Sequence, residues 1–114
     1  MNVYDCAHQL ARGLKESREY QEYKDLERKV KTTPQCKAMV DDFRKRQLQV
    51  QGQQMMKQQV DENTLKELQS LHHVLMQNPL VAEFMHAEFK LSQMMSDVYK
   101  ILGEALDLDI SGLE

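Results

Sequence analysis

Apolar residues near the start of the chain recur in steps of four and three: Val3, Ala7, Leu10, Leu14. That step keeps them on one face of a helix with about 3.6 residues per turn. The phase then slips. The next apolar positions are Tyr20, Tyr23, Leu26 and Val30, and positions 17 and 18, which a continuous stripe would use, hold Ser17 and Arg18. Ser17 reads as a new N-cap, and a break is expected near 16–18. A third stripe runs through Cys36, Met39, Val40, Phe43 and Val50, with Gln47 and Gln54 where further apolar residues would fit. A fourth, Leu65, Leu68, His72 and Leu75, predicts a short helix of about four turns. Period-two alternation is confined to "QLQVQ", inside a strong helical context, so no strand is predicted.

Punctuation supports these bounds. "TTPQ" places Thr33 as N-cap and Pro34 at the first helical position, and "QNPL" does the same with Asn78 and Pro79. Proline lacks the N–H that would be unsatisfied there, and the preceding side-chain oxygen is able to take up a free backbone donor. Asn2 and Asp61 are further N-cap candidates, with Asp5 favourably placed in a first turn. Gly52 lies within the glutamine-rich "QLQVQGQQMMKQQ". Glycine costs about 1 kcal/mol in a helix interior, so this helix is expected to lose order or packing after 52.

The last stripe is the longest. Phe84, Ala87, Leu91, Met94, Val98, Ile101, Ala105 and Leu108 alternate by three and four without a fault, and Met95 and Leu102 broaden the face. Residues 79–106 make a rod about 42 Å long at about 1.5 Å per residue. The rest of a 114-residue chain covers only part of such a rod. It is either the central helix of a monomeric bundle or, as we prefer, partly covered by a second copy.

Composition changes this picture little. Four glycines and two prolines favour helix, and 41% hydrophobic with 29% charged residues exclude a disordered chain. The reading is an all-α antiparallel bundle of about four to five helices with a long C-terminal helix. It forms a single domain over 1–114, with a poorly ordered tail at 108–114. The net charge of −3 is unevenly spread. Residues 1–60 hold 12 Lys/Arg against 8 Asp/Glu, a balance of +4, and residues 61–114 hold 3 against 10, a balance of −7. The halves, or two copies, are expected to pack with complementary fields. Alternatively, the basic run Arg44, Lys45, Arg46 faces nucleic acid, although Asp41 and Asp42 sit beside it. The start "MNVYDCAHQL" has no secretory-signal pattern, and no segment approaches the ~20 apolar residues of a membrane span. A cytoplasmic protein is expected, with Cys6 and Cys36 reduced and buried as structural thiols.

Catalytic candidates are weak. Glu83 with His86, and Asp5 with His8, have the spacing of the Glu-x-x-His found in di-iron helical bundles. Phe84 and Ala87 take the inward positions, however, which turns His86 away from the seam. His72 and His73 are adjacent and face different sides, with His72 expected half-buried on its stripe. No nucleophile–base spacing and no phosphate-binding glycine loop is present. No catalytic, cofactor-binding or metal-binding residue is therefore assigned, and no cofactor is expected. The paired Met55–Met56 and Met94–Met95 suit either core filling or a surface that repacks against more than one partner.

The blocks "NVYDCAHQLARGLKES", "YKDL", "KAMVDDFRKRQLQVQ" and "NPLVAEFMHAEFKLSQMMSDVYKILGEAL" resemble the YheA-type branch of the YlbF/YmcA family of Bacillus and related bacteria, over nearly the whole span from Asn2 to Leu106. The resemblance implies a small helical cytoplasmic protein that self-associates and has no catalytic residues to transfer. The family's better-studied relatives act in a complex that influences competence, sporulation and biofilm formation and modulates RNA processing. That complex has been linked to iron–sulfur clusters, which two lone cysteines do not match. The expectation is a non-enzymatic interaction or regulatory protein whose partner is itself, as a homodimer or higher homo-oligomer, with other proteins possible. The residues expected to carry packing within or between copies are Phe84, Leu91, Met94, Met95, Val98, Ile101 and Leu102. The alternative is an RNA-associated factor using Arg44, Lys45 and Arg46.

Overall fold

Backbone donors at each helix start, and the side chains that meet them, set the element boundaries. The computed structural model describes residues 1–109. It contains α1 (Val3–Glu16), α2 (Arg18–Lys31), α3 (Pro34–Met55), α4 (Glu62–Gln77) and α5 (Pro79–Leu106), with no strand among the described residues. The fold is all-α with a long C-terminal helix, as expected. Asn2 Oδ1 accepts from the N–H groups of Tyr4 and Asp5, at 2.8 and 3.2 Å. Asp61 Oδ1 accepts from Asn63 N–H at 3.1 Å. Each satisfies a donor that the first helical turn leaves open.

Ser17 makes the expected break. Its backbone is extended, and its Oγ donates to the Leu14 carbonyl at 2.6 Å while accepting from Tyr20 N–H at 3.2 Å. One hydroxyl thus closes α1 and opens α2. Asn78 joins α4 to α5 in a similar way. Its N–H donates to the Leu75 carbonyl, and its Oδ1 accepts from Leu80 and Val81 N–H at 3.1 and 3.2 Å. Thr33 behaves differently from the expectation. It precedes Pro34 with an extended backbone, but its hydroxyl makes no cap bond and donates back to the Lys29 carbonyl at 2.8 Å. It satisfies a carbonyl left open at the end of α2.

Helix α3 passes through Gly52 and ends three residues later. Lys57 then takes a left-handed conformation, φ 57°, with Gln58 N–H donating to the Gln53 carbonyl and Lys57 N–H to the Gln54 carbonyl. The end of α5 repeats this pattern around Asp107, φ 54°. Both are Schellman ends made without glycine. The expected loss of packing after Gly52 is real, since Met55 and Met56 are both largely exposed.

The chain divides into two compact units. One is Leu26–Phe84. Its core is Val30, Cys36, Val40, Phe43, Val50, Leu75, Val81 and Phe84, with Leu75 and Val81 wholly inaccessible. Helices α3 and α4 pack together here. The Phe43 ring meets His72 at 5.6 Å, Arg46 reaches Glu67 at 3.5 Å, and Asn78 Nδ2 donates to the buried Cys36 sulfur at 3.5 Å. His72 is more exposed than its stripe position implied, because Phe43 covers one face of the ring only. The other unit combines residues 1–25 with 85 onward. Ala87 is its one buried residue among those described, and Cys6, expected inside, is exposed. Arg18, Glu19 and Glu22 share a shallow depression with Lys90, Met94 and Asp97, so the start of α2 lies beside the middle of α5. The expectation for the tail beyond 109 falls outside the described residues.

Two substitutions test this description. No atom lies within 4 Å of where a Cβ on Gly52 would stand. Gly52→Ala should therefore raise stability by about 0.5–1 kcal/mol, read as a higher urea midpoint with unchanged slope. Leu75→Ala should lower it by about 2–5 kcal/mol, because it empties a site with no access to water.

Candidate functional site

Along the apolar stripe of α5, burial gives way to half-burial and then to exposure, and that gradient locates the candidate surface. Phe84 and Ala87 are buried; Leu91, Met94, Met95 and Val98 are half-buried; Ile101 is 65% exposed and Leu102 40%. Ala105 is exposed, and Leu108 lies past the helix end. Seven of the residues expected to pack therefore occupy one continuous helix, but only Phe84 among them is in the core. Val81, one position off the predicted seam, is fully buried instead. A strict heptad reading missed it because α5 begins as a core helix, whose covered face is wider than a two-position seam.

Helix α1 carries a second uncovered stripe. Its stripe of Val3, Ala7, Leu10 and Leu14 forms as spaced, yet no α1 residue is buried. Val3 is 77% exposed, and Leu14 is only half-buried. These positions were legible as a stripe but were not singled out as a site. Beside Leu91, Met95, Tyr99, Gly103 and Leu108, the end of α5 forms an open depression of about 960 Å³. Its lining is mixed, with Ser92, Ser96, Lys100, Glu104, Asp107 and Asp109 among the apolar residues.

The basic run is largely committed to its neighbours. The Arg44 guanidinium lies over the Phe84 ring, 5.4 Å from its centre. Arg46 Nε meets Asp42 Oδ1 at 3.3 Å, and its Nη1 meets Glu67 at 3.5 Å. Lys45 is exposed on the same helix. Consecutive residues on a helix point about 100° apart, so the three do not form one flat cationic face. Glu83, His86, Asp5 and His8 are all exposed, and among the described residues no three His, Cys, Asp or Glu side chains come together as a metal site. No helix among the described residues is long and apolar enough to cross a membrane.

Comparison with known proteins agrees with this reading of the fold. The family model described as control of competence regulator ComK, YlbF/YmcA, matches residues 3–107. The chain is 39% identical to the UPF0342 protein STH1710 of Symbiobacterium thermophilum, over 95% of this chain and 96% of that one. It is 38% identical to a UPF0342 protein of Clostridium novyi, over 96% of each. Among solved structures, a protein of unknown function (DUF964) from Bacillus stearothermophilus superposes with a TM-score of 0.84 at 22% identity, covering 92% of both chains. The yheA protein of Bacillus subtilis gives 0.69 at 25% identity, covering 94% of this chain and 97% of that one. None of these names is that of an enzyme. With a match running from the first turn of α1 to the end of α5, the chain belongs to the YlbF/YmcA family.

Proposed function

We propose that this chain is a non-enzymatic interaction protein of the YlbF/YmcA type, which works by mutual burial of apolar helix faces and associates with itself. The observation that carries this reading is the uncovered stripe of α1 together with the exposed end of α5. A helix of 14 residues is marginal in water, and most helical stability comes from covering an amphipathic face. An apolar face left open on a folded helix reads as a docking surface. The reading is of a cytoplasmic protein with reduced thiols. The family description, control of competence regulator ComK, supports a regulatory setting. In this reading the chain acts within a complex that affects RNA processing or development.

Direct RNA binding by Arg44, Lys45 and Arg46 has thinner support. Stacking on Phe84 and pairing with Asp42 and Glu67 already occupy two of the three cations. RNA affinity through phosphates requires cations free to replace counterions and falls steeply with salt.

Light scattering across micromolar concentrations should report a mass of two or more chains. Leu91→Asp should dissociate that assembly or lower helicity, since it places a charge without a partner on a half-buried seam. Unchanged mass and melting in that variant would count against the reading. A gel shift with single-stranded RNA at low salt should show no retarded band; a band that weakens steeply with salt would favour the nucleic-acid alternative.

A further inference from the structure

We infer that Ser17 is a one-bond hinge: α1 swings between the bent junction seen here and a straight continuation into α2, and the Ser17 and Gln21 side chains hold the bend. The φ of Ser17 is −66°, already a helical value, and only its ψ, 152°, departs from one. A helix has ψ near about −42°, so rotation about a single bond converts one state into the other. The other two close junctions are built differently. Pro34 and Pro79 open α3 and α5. A proline bars the residue before it from the helical region and breaks a helix that runs through it. Residues 14–20 hold neither proline nor glycine. No ring fixes this junction open.

Side-chain bonds keep it bent instead. Ser17 Oγ donates to the Leu14 carbonyl and accepts from Tyr20 N–H, and Gln21 Nε2 reaches back across the break to the Lys15 carbonyl at 2.8 Å. In a straight helix the Leu14 and Lys15 carbonyls would take the N–H groups of Arg18 and Glu19. Each state satisfies the same acceptors with different donors, so exchanging one set for the other costs little. The two states differ in where the apolar faces point. At about 100° per residue, a straight helix would set the stripe of Val3, Ala7, Leu10 and Leu14 roughly 180° from that of Tyr20, Tyr23, Leu26 and Val30. The second stripe is covered by the chain, half-buried at Tyr20, Tyr23 and Leu26 and buried at Val30. The bend therefore decides where α1 presents its open stripe. Its consequence for assembly rests on the reading of that stripe as a docking face: a partner that binds the bent form draws the equilibrium toward it.

Electron–electron double resonance on the full-length chain reads the hinge. Cys6 is exposed and Cys36 buried, so nitroxides on Cys6 and on an exposed Lys29→Cys report one distance, with unlabelled chain in excess to remove contributions between copies. A straight helix separates positions 6 and 29 by about 35 Å at about 1.5 Å per residue. The wild type should give a shorter distance, and Ser17→Ala with Gln21→Ala should move the main peak to about 35 Å. Adding Arg18→Pro to that pair should restore the short distance, because proline at the first position of α2 holds the residue before it extended. A pair variant that loses helix by circular dichroism is replaced by Ser17→Ala alone, read against Ser17→Thr, which keeps the hydroxyl and the short distance. A wild type already at the straight-helix distance, or a pair variant that keeps the wild-type distance, overturns the hinge. Light scattering on the same samples separates the two readings. Straightening that weakens assembly supports both; straightening at unchanged mass keeps the hinge and overturns the α1 stripe as a docking face.

Discussion

Covering one apolar stripe is the constraint on which the rest of this structure depends. Each helix carries a stripe, and a stripe is stable only when another surface removes it from water. Where α3, α4 and the start of α5 meet, the chain supplies its own cover. Leu75, Val81 and Phe84 are sealed there, and even the polar neighbours are drawn in: Arg44 lies on Phe84 and Asn78 donates to Cys36. Along α1 and the rest of α5 the same spacing continues, yet the cover thins to half-burial and then to exposure. Helix α5 belongs to both situations. Its sequence does not change character at Met85; its surroundings do.

That continuity explains what was legible beforehand. The kink at Ser17 and the starts at Asn2, Asp61 and Asn78 were readable because capping is local chemistry, decided by one side chain and the three residues after it. Thr33 failed the same test: its hydroxyl turns back to the Lys29 carbonyl of the preceding helix and accepts no cap N–H. The stripe of α5 was readable at full length, but its depth of burial was not. Periodicity says which residues share a face; it is silent on which stretch of that face meets a partner. The exposure of His72 and Cys6 escaped for this reason.

The functional reading follows from the same physics. The described acidic and histidine side chains at metal-like spacing stand in solvent, and two cations of the basic run are already engaged. The half-buried Met94 and Met95 sit where the cover of α5 gives out. Flexible, polarizable side chains at that position are suited to pack against a surface from outside the chain. The YlbF/YmcA family to which the chain belongs carries a regulatory description.

Hydrogen exchange of the unmodified chain, followed by mass spectrometry at two protein concentrations, tests the uneven cover directly. The account predicts that amides of α1 and of the C-terminal part of α5 exchange slowly when concentrated and faster on dilution, while those of α3 and α4 are indifferent to concentration. Slow exchange of α1 that does not change on dilution would mean that the chain shields this stripe by itself, and would contradict the account.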